Sequence, residues 1–325
     1  MVDFPFNAYL AALLSAAVVS FVSLPLWRKW CLRTGHVDDP GHRKIHSSPI
    51  PLAGGLAVLT GFLLPLVAAA TLLQINAHPI SEAAALAHGF NRRGLQVAAI
   101  LIGAVAMTLL GWLDDKHELG ALPKFAGQIL IAALLCAAGV RITLFVPNVL
   151  FSYAITILWL VTVINAFNFM DNMNGLCAGL GAIAAWHFAS LAAADGQYLV
   201  ALLALLACGA LFGFLPHNFP NARAFLGDAG SHLTGYLLAV LAILPHFYTQ
   251  QNPRHLAVLT PLLVLGVPLF DLAWVVILRW RLGKPFYVGD TNHLSHRLVR
   301  RGWSRSTAVL FIWLAAALLG ALASW

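Results

Sequence analysis

Charge is what this sequence has least of. Asp, Glu, Lys and Arg together make up 10% of the 325 residues, acidic residues number only 12, and hydrophobic residues reach 60%. That balance excludes a soluble globular domain and a disordered chain, both of which need far more polar surface. Cysteine is sparse too. Cys31, Cys136, Cys177 and Cys208 have no metal-ligand spacing, which leaves them as small apolar packing residues. There is no internal repeat, no low-complexity tract, and no basic strip interleaved with aromatics that would suit a nucleic acid.

What is present is hydrocarbon-length apolar sequence. A mean hydropathy of +0.83 and runs of the ~20 residues that cross a bilayer predict an all-α, polytopic membrane protein forming one domain over 1–325. About ten spans are expected, near 8–27, 52–73, 95–113, 124–140, 147–167, 176–194, 197–215, 230–248, 256–278 and 304–324. Met1 to Phe6 carries Asp3 and no basic residue, unlike the start of a cleaved signal peptide, so the first span is expected to stay as a helix.

Basic residues orient the bundle. Threaded this way, Arg92, Arg93, Arg141 and Arg254 fall on one face and the other 15 of the 19 Lys and Arg on the opposite face, which is therefore expected to be cytoplasmic. The net charge of +7 follows from that topology and from contact with anionic lipid headgroups. The longest exported loop runs from about Gln74 to Gly94.

Five polar runs emerge on the cytoplasmic face: Asp38 to His46, Asp114 to Glu118, Asn165 to Gly175, Asn218 to Ser231 and Gly289 to Arg297. Acids gather there as well, although the positive-inside rule gives Asp and Glu little preference. Asp114 and Asp115 end an apolar helix, where two adjacent carboxylates repel unless a cation or proton intervenes; they suit Mg²⁺ or Mn²⁺, or equally an ordinary solvated helix end beside Lys116. Asn165, Asn168, Asp171 and Asn174 recur every three residues, a step that keeps side chains on one drifting face. Four such groups beside hydrocarbon need partners.

Asp228 stands among small residues at the start of a span, where backbone amides and a helix N-terminus can hold a phosphate, although Gly-Asp is also a common turn and cap. His293 and His296 could be zinc ligands, but lacking a third ligand they fit phosphate binding beside Arg297, Arg300 and Arg301 better.

In this order the five runs resemble the polyprenyl-phosphate N-acetylhexosamine-1-phosphate transferases, glycosyltransferase family 4 in older naming. The resemblance spans nearly the whole chain. It places Asp39, Pro40, Arg43, Lys44, His46, Pro49, Pro51, Gly54 and Gly55 on the family's first signature, near the site. It implies that Asp114 and Asp115 handle the lipid phosphate. Asp171 and Asp228 would then hold Mg²⁺ (or Mn²⁺) and the diphosphate, and Asn168 and Asn218 line a nucleotide pocket. Phe225 would stack on uracil, and His293 and His296 form the terminal histidine motif, preceded by Asp271 and Arg279. Arg43, Lys44, His46 and Arg297 would contact substrate.

Three departures are visible. Asn172 and Asn174 replace a glycine and an aspartate of the usual M-D-G-x-D-G-L, which casts Asn174 as a uracil contact. The histidine motif reads HLSH, which points away from lipid I synthesis and toward donors such as UDP-N-acetylglucosamine. The exported loop before the third span is also longer.

The implied reaction moves an N-acetylhexosamine 1-phosphate, probed first as the N-acetylglucosamine compound, from a UDP-sugar to undecaprenyl phosphate, with release of UMP. It implies a bacterial inner membrane and leaves a homodimer open. From other classes, a phosphatase acting on polyprenyl diphosphate would share the phosphate contacts but need no uridine. A transporter would place its polar groups at the bilayer midplane.

Overall fold

The structure, a computed structural model, describes residues 3–40, 48–75, 93–143, 146–245, 259–285 and 291–323. Arg43, Lys44, His46, Asp290 and most of the expected exported loop lie outside the described residues. Twelve helices are found among those described: α1 (Phe6–Thr34), α2 (Gly54–Ile75), α3 (Gly94–His117), α4 (Ala121–Ala137), α5 (Val149–Met170), α6 (Leu176–Ala194), α7 (Tyr198–Asn218), α8 (Gly227–Leu241), α9 (Thr260–Val264), α10 (Gly266–Arg281), α11 (Leu294–Arg300) and α12 (Arg305–Leu322). A two-residue antiparallel pair, β1 (Val37–Asp38) and β2 (Ile50–Pro51), closes the loop after α1 with Val37 opposite Pro51.

Seven of these helices (α1, α2, α3, α5, α6, α7 and α12) are long and apolar enough to cross a membrane, and each falls on an expected span. The other three expectations change in form. The fourth is a 17-residue helix that begins at Ala121. The eighth is a 15-residue helix, about 22 Å long against the ~30 Å of hydrocarbon. The ninth breaks at Leu265 into α9 and α10. Pro268 explains that break, because it has no N–H to offer the carbonyl of Val264.

Lipid-facing and protein-facing residues separate as helical periodicity requires. On α1, Ala12, Ala16, Ser20 and Leu24 are buried while Leu10, Leu14, Val18 and Phe21 are exposed. At the centre stands α8, buried along its whole length except at Asp228 and packed on α3, α5, α2, α6 and α7. Small residues allow that crowding. A Cβ on Gly111 would lie within 2.2 Å of the Asp228 carbonyl oxygen, and one on Gly55 within 2.4 Å of the Gly230 nitrogen. The four cysteines are free and buried, as packing residues should be.

Candidate active site

The described parts of the polar runs meet at one end of the bundle, around the N-terminus of α8 and the end of α5. Gly227 opens that helix with φ 71°, and a Cβ there would lie 2.7 Å from Asp115 Oδ2. A helix start leaves backbone N–H groups without partners. Here two carboxylates from other helices accept them. Asp115, in the last turn of α3, takes the amides of Asp228 (2.7 Å) and Ala229 (3.0 Å), and Asp171, just past α5, takes the amide of Gly227. The expected phosphate cradle is thus already filled by protein carboxylates, because the helix dipole stabilises whichever anion reaches it first. His36 lies 4.0 Å from Asp115 and stacks obliquely on Trp112.

Asp114 points elsewhere. Its carboxylate meets Lys124 Nζ at 2.6 Å, and the same ammonium lies 3.5 Å from Asp228 Oδ2 and donates to Asn168 Oδ1 at 3.4 Å. Asn168 in turn donates to Asp228 Oδ1 and to Ser231 Oγ (3.0 Å), so its amide links Lys124 to Asp228 and to the first turn of α8. His232, one turn along α8, is wholly buried, and its nitrogen and the oxygens of Asp114 and Asp228 all lie within 4.8 Å of one another.

Four carboxylates therefore gather here, and among the described residues the one ammonium in ion-pair contact with any of them, Lys124, reaches only Asp114 and Asp228. The donor set fits a divalent cation on two grounds: the carboxylates crowd one another, and the His232 ring nitrogens have no hydrogen-bond partner. Burial first, and then the charge of Asp228, push the Asp171 carboxyl up to about 8, while the Gly227 amide pulls it down.

That shift fixes a pH dependence. Unfolded, an Asp carboxyl titrates near ~3.9, so between about pH 4 and about pH 8 the folded state binds the extra proton and stability falls as pH rises. The cation prefers the ionised form, so its stabilising effect grows over the same range. Melting curves of the metal-free protein should therefore show a pH slope that Asp171→Asn flattens. Equal slopes in the two proteins would remove Asp171 from this account.

The histidine motif packs on the other side of the Asn165–Gly175 run. His293 Nδ1 meets Asp271 Oδ2 at 2.6 Å, and Asp271 Oδ1 accepts the amide of Leu294 at 2.6 Å. This pairing fixes the ring's orientation. The ring of His293 lies edge-on to Phe169 (5.5 Å), whose face carries the buried guanidinium of Arg279 at 5.0 Å. Ser295 donates to Asn172 Oδ1 and Asn172 donates to the Phe169 carbonyl, both at 2.6 Å, which staples α11 to the run. His296 has its basicity lowered by burial and then by the neighbouring His293. Arg297 lies 4.7 Å over the ring of Trp274.

The expected nucleotide residues divide. Asn218 is buried, accepts the Gly175 N–H and donates to the Ala224 carbonyl, so it ties two loops together. Asn174 donates to the Pro220 carbonyl at 3.1 Å. Phe225 is half-buried, and its backbone pairs with Pro51 and Gly54, joining the fourth run to the first. Asn165 departs from the shared face: it donates to Gln128 Oε1 and to the Val161 carbonyl, and α5 ends before Asn174.

Lys124 and His232 are the site residues that sequence reasoning passed over. Lys124 counted only toward topology. A histidine inside an apolar helix one turn after Asp228 was the signal that could have found His232.

Fold and site together define a multi-pass, all-helical membrane protein with a carboxylate-rich polar centre at one end of its bundle. Residues 97–246 match the model of the family described as glycosyl transferase family 4. The chain is similar to a probable undecaprenyl-phosphate N-acetylglucosaminyl 1-phosphate transferase of Bacillus subtilis (strain 168), 31% identical over 94% of this chain and 80% of the relative. It is 35% identical to a decaprenyl-phosphate N-acetylglucosaminephosphotransferase of Mycolicibacterium smegmatis, over 93% of this chain and 78% of that one. It is also 29% identical to an undecaprenyl-phosphate alpha-N-acetylglucosaminyl 1-phosphate transferase of Yersinia pestis, over 90% and 77%. The chain belongs to glycosyl transferase family 4.

Proposed function

We propose that this chain transfers N-acetylglucosamine 1-phosphate from its UDP-sugar to undecaprenyl phosphate and releases UMP. The observation that carries the reading is the junction of Asp114, Lys124, Asn168 and Asp228 at the α8 N-terminus, in a chain whose relatives are named for that transfer. The site would face the cytoplasm of a bacterial inner membrane, supported by the 15 basic residues that the sequence threading puts on its side of a single-domain chain.

Phosphoryl transfer asks mainly for positioning and charge stabilisation. A lipid phosphate oxygen attacks the sugar-bearing phosphorus, the bond from that phosphorus to the bridging oxygen breaks, and the electron pair leaves with UMP. A phosphate monoester has its second pKa near ~6, so the nucleophile is largely dianionic at neutral pH and needs holding more than deprotonating. Lys124, already between two carboxylates, is placed to hold it. Bound Mg²⁺ or Mn²⁺, held by Asp171, Asp228 and Asp114, would neutralise the diphosphate.

Asp115 holds the α8 N-terminus and Asn168 orients Asp228. As an imidazolium paired with Asp271, His293 would have its second ring N–H to donate to a phosphate oxygen. Asn174 keeps its carbonyl oxygen for a uracil N–H, Phe225 offers its ring face to the base, and Arg43, Lys44, His46, His296 and Arg297 supply donors to phosphate and sugar.

The test is UMP release by purified protein in detergent, given undecaprenyl phosphate and UDP-N-acetylglucosamine. Release that requires the lipid and is stopped by EDTA is the expected result. No UMP with any UDP-N-acetylhexosamine would sink the reading.

A further inference from the structure

We propose that His232 is a nitrogen ligand of the cation at this centre and makes the chain favour Mn²⁺ over Mg²⁺. The inference rests on the metal-binding reading above and adds to it the choice of metal.

His232 is a side chain that the transfer chemistry leaves unused. It is 0% exposed, and neither ring nitrogen has a hydrogen-bond partner. A buried polar group left in that state is costly. Inside a helical bundle, such a residue marks a functional contact more often than a packing choice. The imidazole is also aimed: one of its nitrogens and one oxygen each from Asp114 and Asp228 lie within 4.8 Å of one another. Three donors around one point at that spacing need only a small inward movement to reach the ~2.0–2.2 Å bonds of a divalent ion.

The identity of the donors decides the preference. Two carboxylate oxygens alone suit Mg²⁺, a hard ion that keeps most of its waters. Replacing one of those waters by an imidazole nitrogen costs Mg²⁺ more than Mn²⁺, since nitrogen donors favour the first-row transition ions. Lys124 holds the same two carboxylates, at 2.6 Å and 3.5 Å, and therefore competes with the ion until phosphates arrive to take the ammonium. Substrate binding and metal binding should thus favour each other.

Pulsed electron paramagnetic resonance of Mn²⁺ bound to the purified protein tests this, with and without UDP-N-acetylglucosamine. The expected result is a ¹⁴N coupling in the wild type that His232→Leu abolishes. Alongside it, the ratio of Mn²⁺ to Mg²⁺ affinity, read by competition, should fall at least about tenfold in the variant. His232→Gln, which offers an oxygen at similar volume, should keep binding but lose both the coupling and the preference, and melting curves check that both variants fold.

Bound Mn²⁺ without nitrogen coupling, or an unchanged metal ratio in His232→Leu, would overturn the role of His232. If that Mn²⁺ is nonetheless lost in Asp228→Asn, the carboxylate site stands and only the histidine ligand falls. If no Mn²⁺ binds the wild type under either condition, both fall.

Discussion

Asp228→Asn should lower UMP release by about 10²–10³-fold, the scale on which a single preorganised electrostatic partner acts. The variant is isosteric, so the loss arises from charge and hydrogen bonding. Two donors converge on this carboxylate, the Asn168 amide on one oxygen and the Lys124 ammonium on the other. An asparagine side chain can offer its oxygen to only one of them, and its own NH₂ then faces the second. Lys124 would relax toward Asp114 alone, and the cation would lose a ligand. The check is turnover measured across a range of Mg²⁺ concentrations, where excess metal should restore only part of the rate. Unchanged turnover with unchanged metal dependence would remove Asp228 from the centre of the reaction.

Asp115→Ala should act on the fold more than on the chemistry. Both oxygens of Asp115 are bonded to amides at the start of α8, and the side chain is almost fully enclosed. Its removal leaves two buried N–H groups unpaired at about 1–3 kcal/mol each, together with an unopposed helix dipole. A loss of that size is a large part of the stability of an ordinary domain. The expected outcome is poor recovery of folded protein and a sharply lowered melting temperature. Asp115→Asn keeps one acceptor oxygen and should recover part of that loss. By contrast, Asp114→Asn should leave melting nearly intact while reducing turnover. If Asp115→Ala melts like the wild type yet is inactive, Asp115 belongs to the chemistry instead.

Adjacent in sequence, these two aspartates look equivalent. On a helix, neighbours point about 100° apart, which sends Asp115 to the α8 amides and Asp114 to Lys124. That division needs the third dimension, because it depends on which helix lies against each face of α3.

The convergence of the described parts of the five runs was readable, since span lengths and alternating threading put those runs on one side in the sequence. The seven long spans were readable for the same reason: apolar length alone defines them. Lys124 was not, because one lysine beside the membrane looks like the other basic residues that retain a loop in the cytoplasm. Asn218 shows a further limit. A polar residue at a helix end can face a ligand or bind a neighbouring loop, and only the positions of Gly175 and Ala224 show that it binds loops. The eighth span was overestimated because apolar length was followed past Pro245, which has no N–H for the Leu241 carbonyl and so marks where the helix stops.

The shortness and burial of α8 bear on how the protein is made. A 15-residue segment with a carboxylate in its first turn is a poor candidate for entering lipid on its own. The helices it packs on most, α2, α3, α5, α6 and α7, all precede it in the chain. The residues of its socket, Asp115 and Asp171 among them, are therefore synthesised before the amides they cap. Docking of that helix would then complete the polar centre in the same step, and a chain interrupted before Gly227 would leave the carboxylates of Asp115 and Asp171 without those amides.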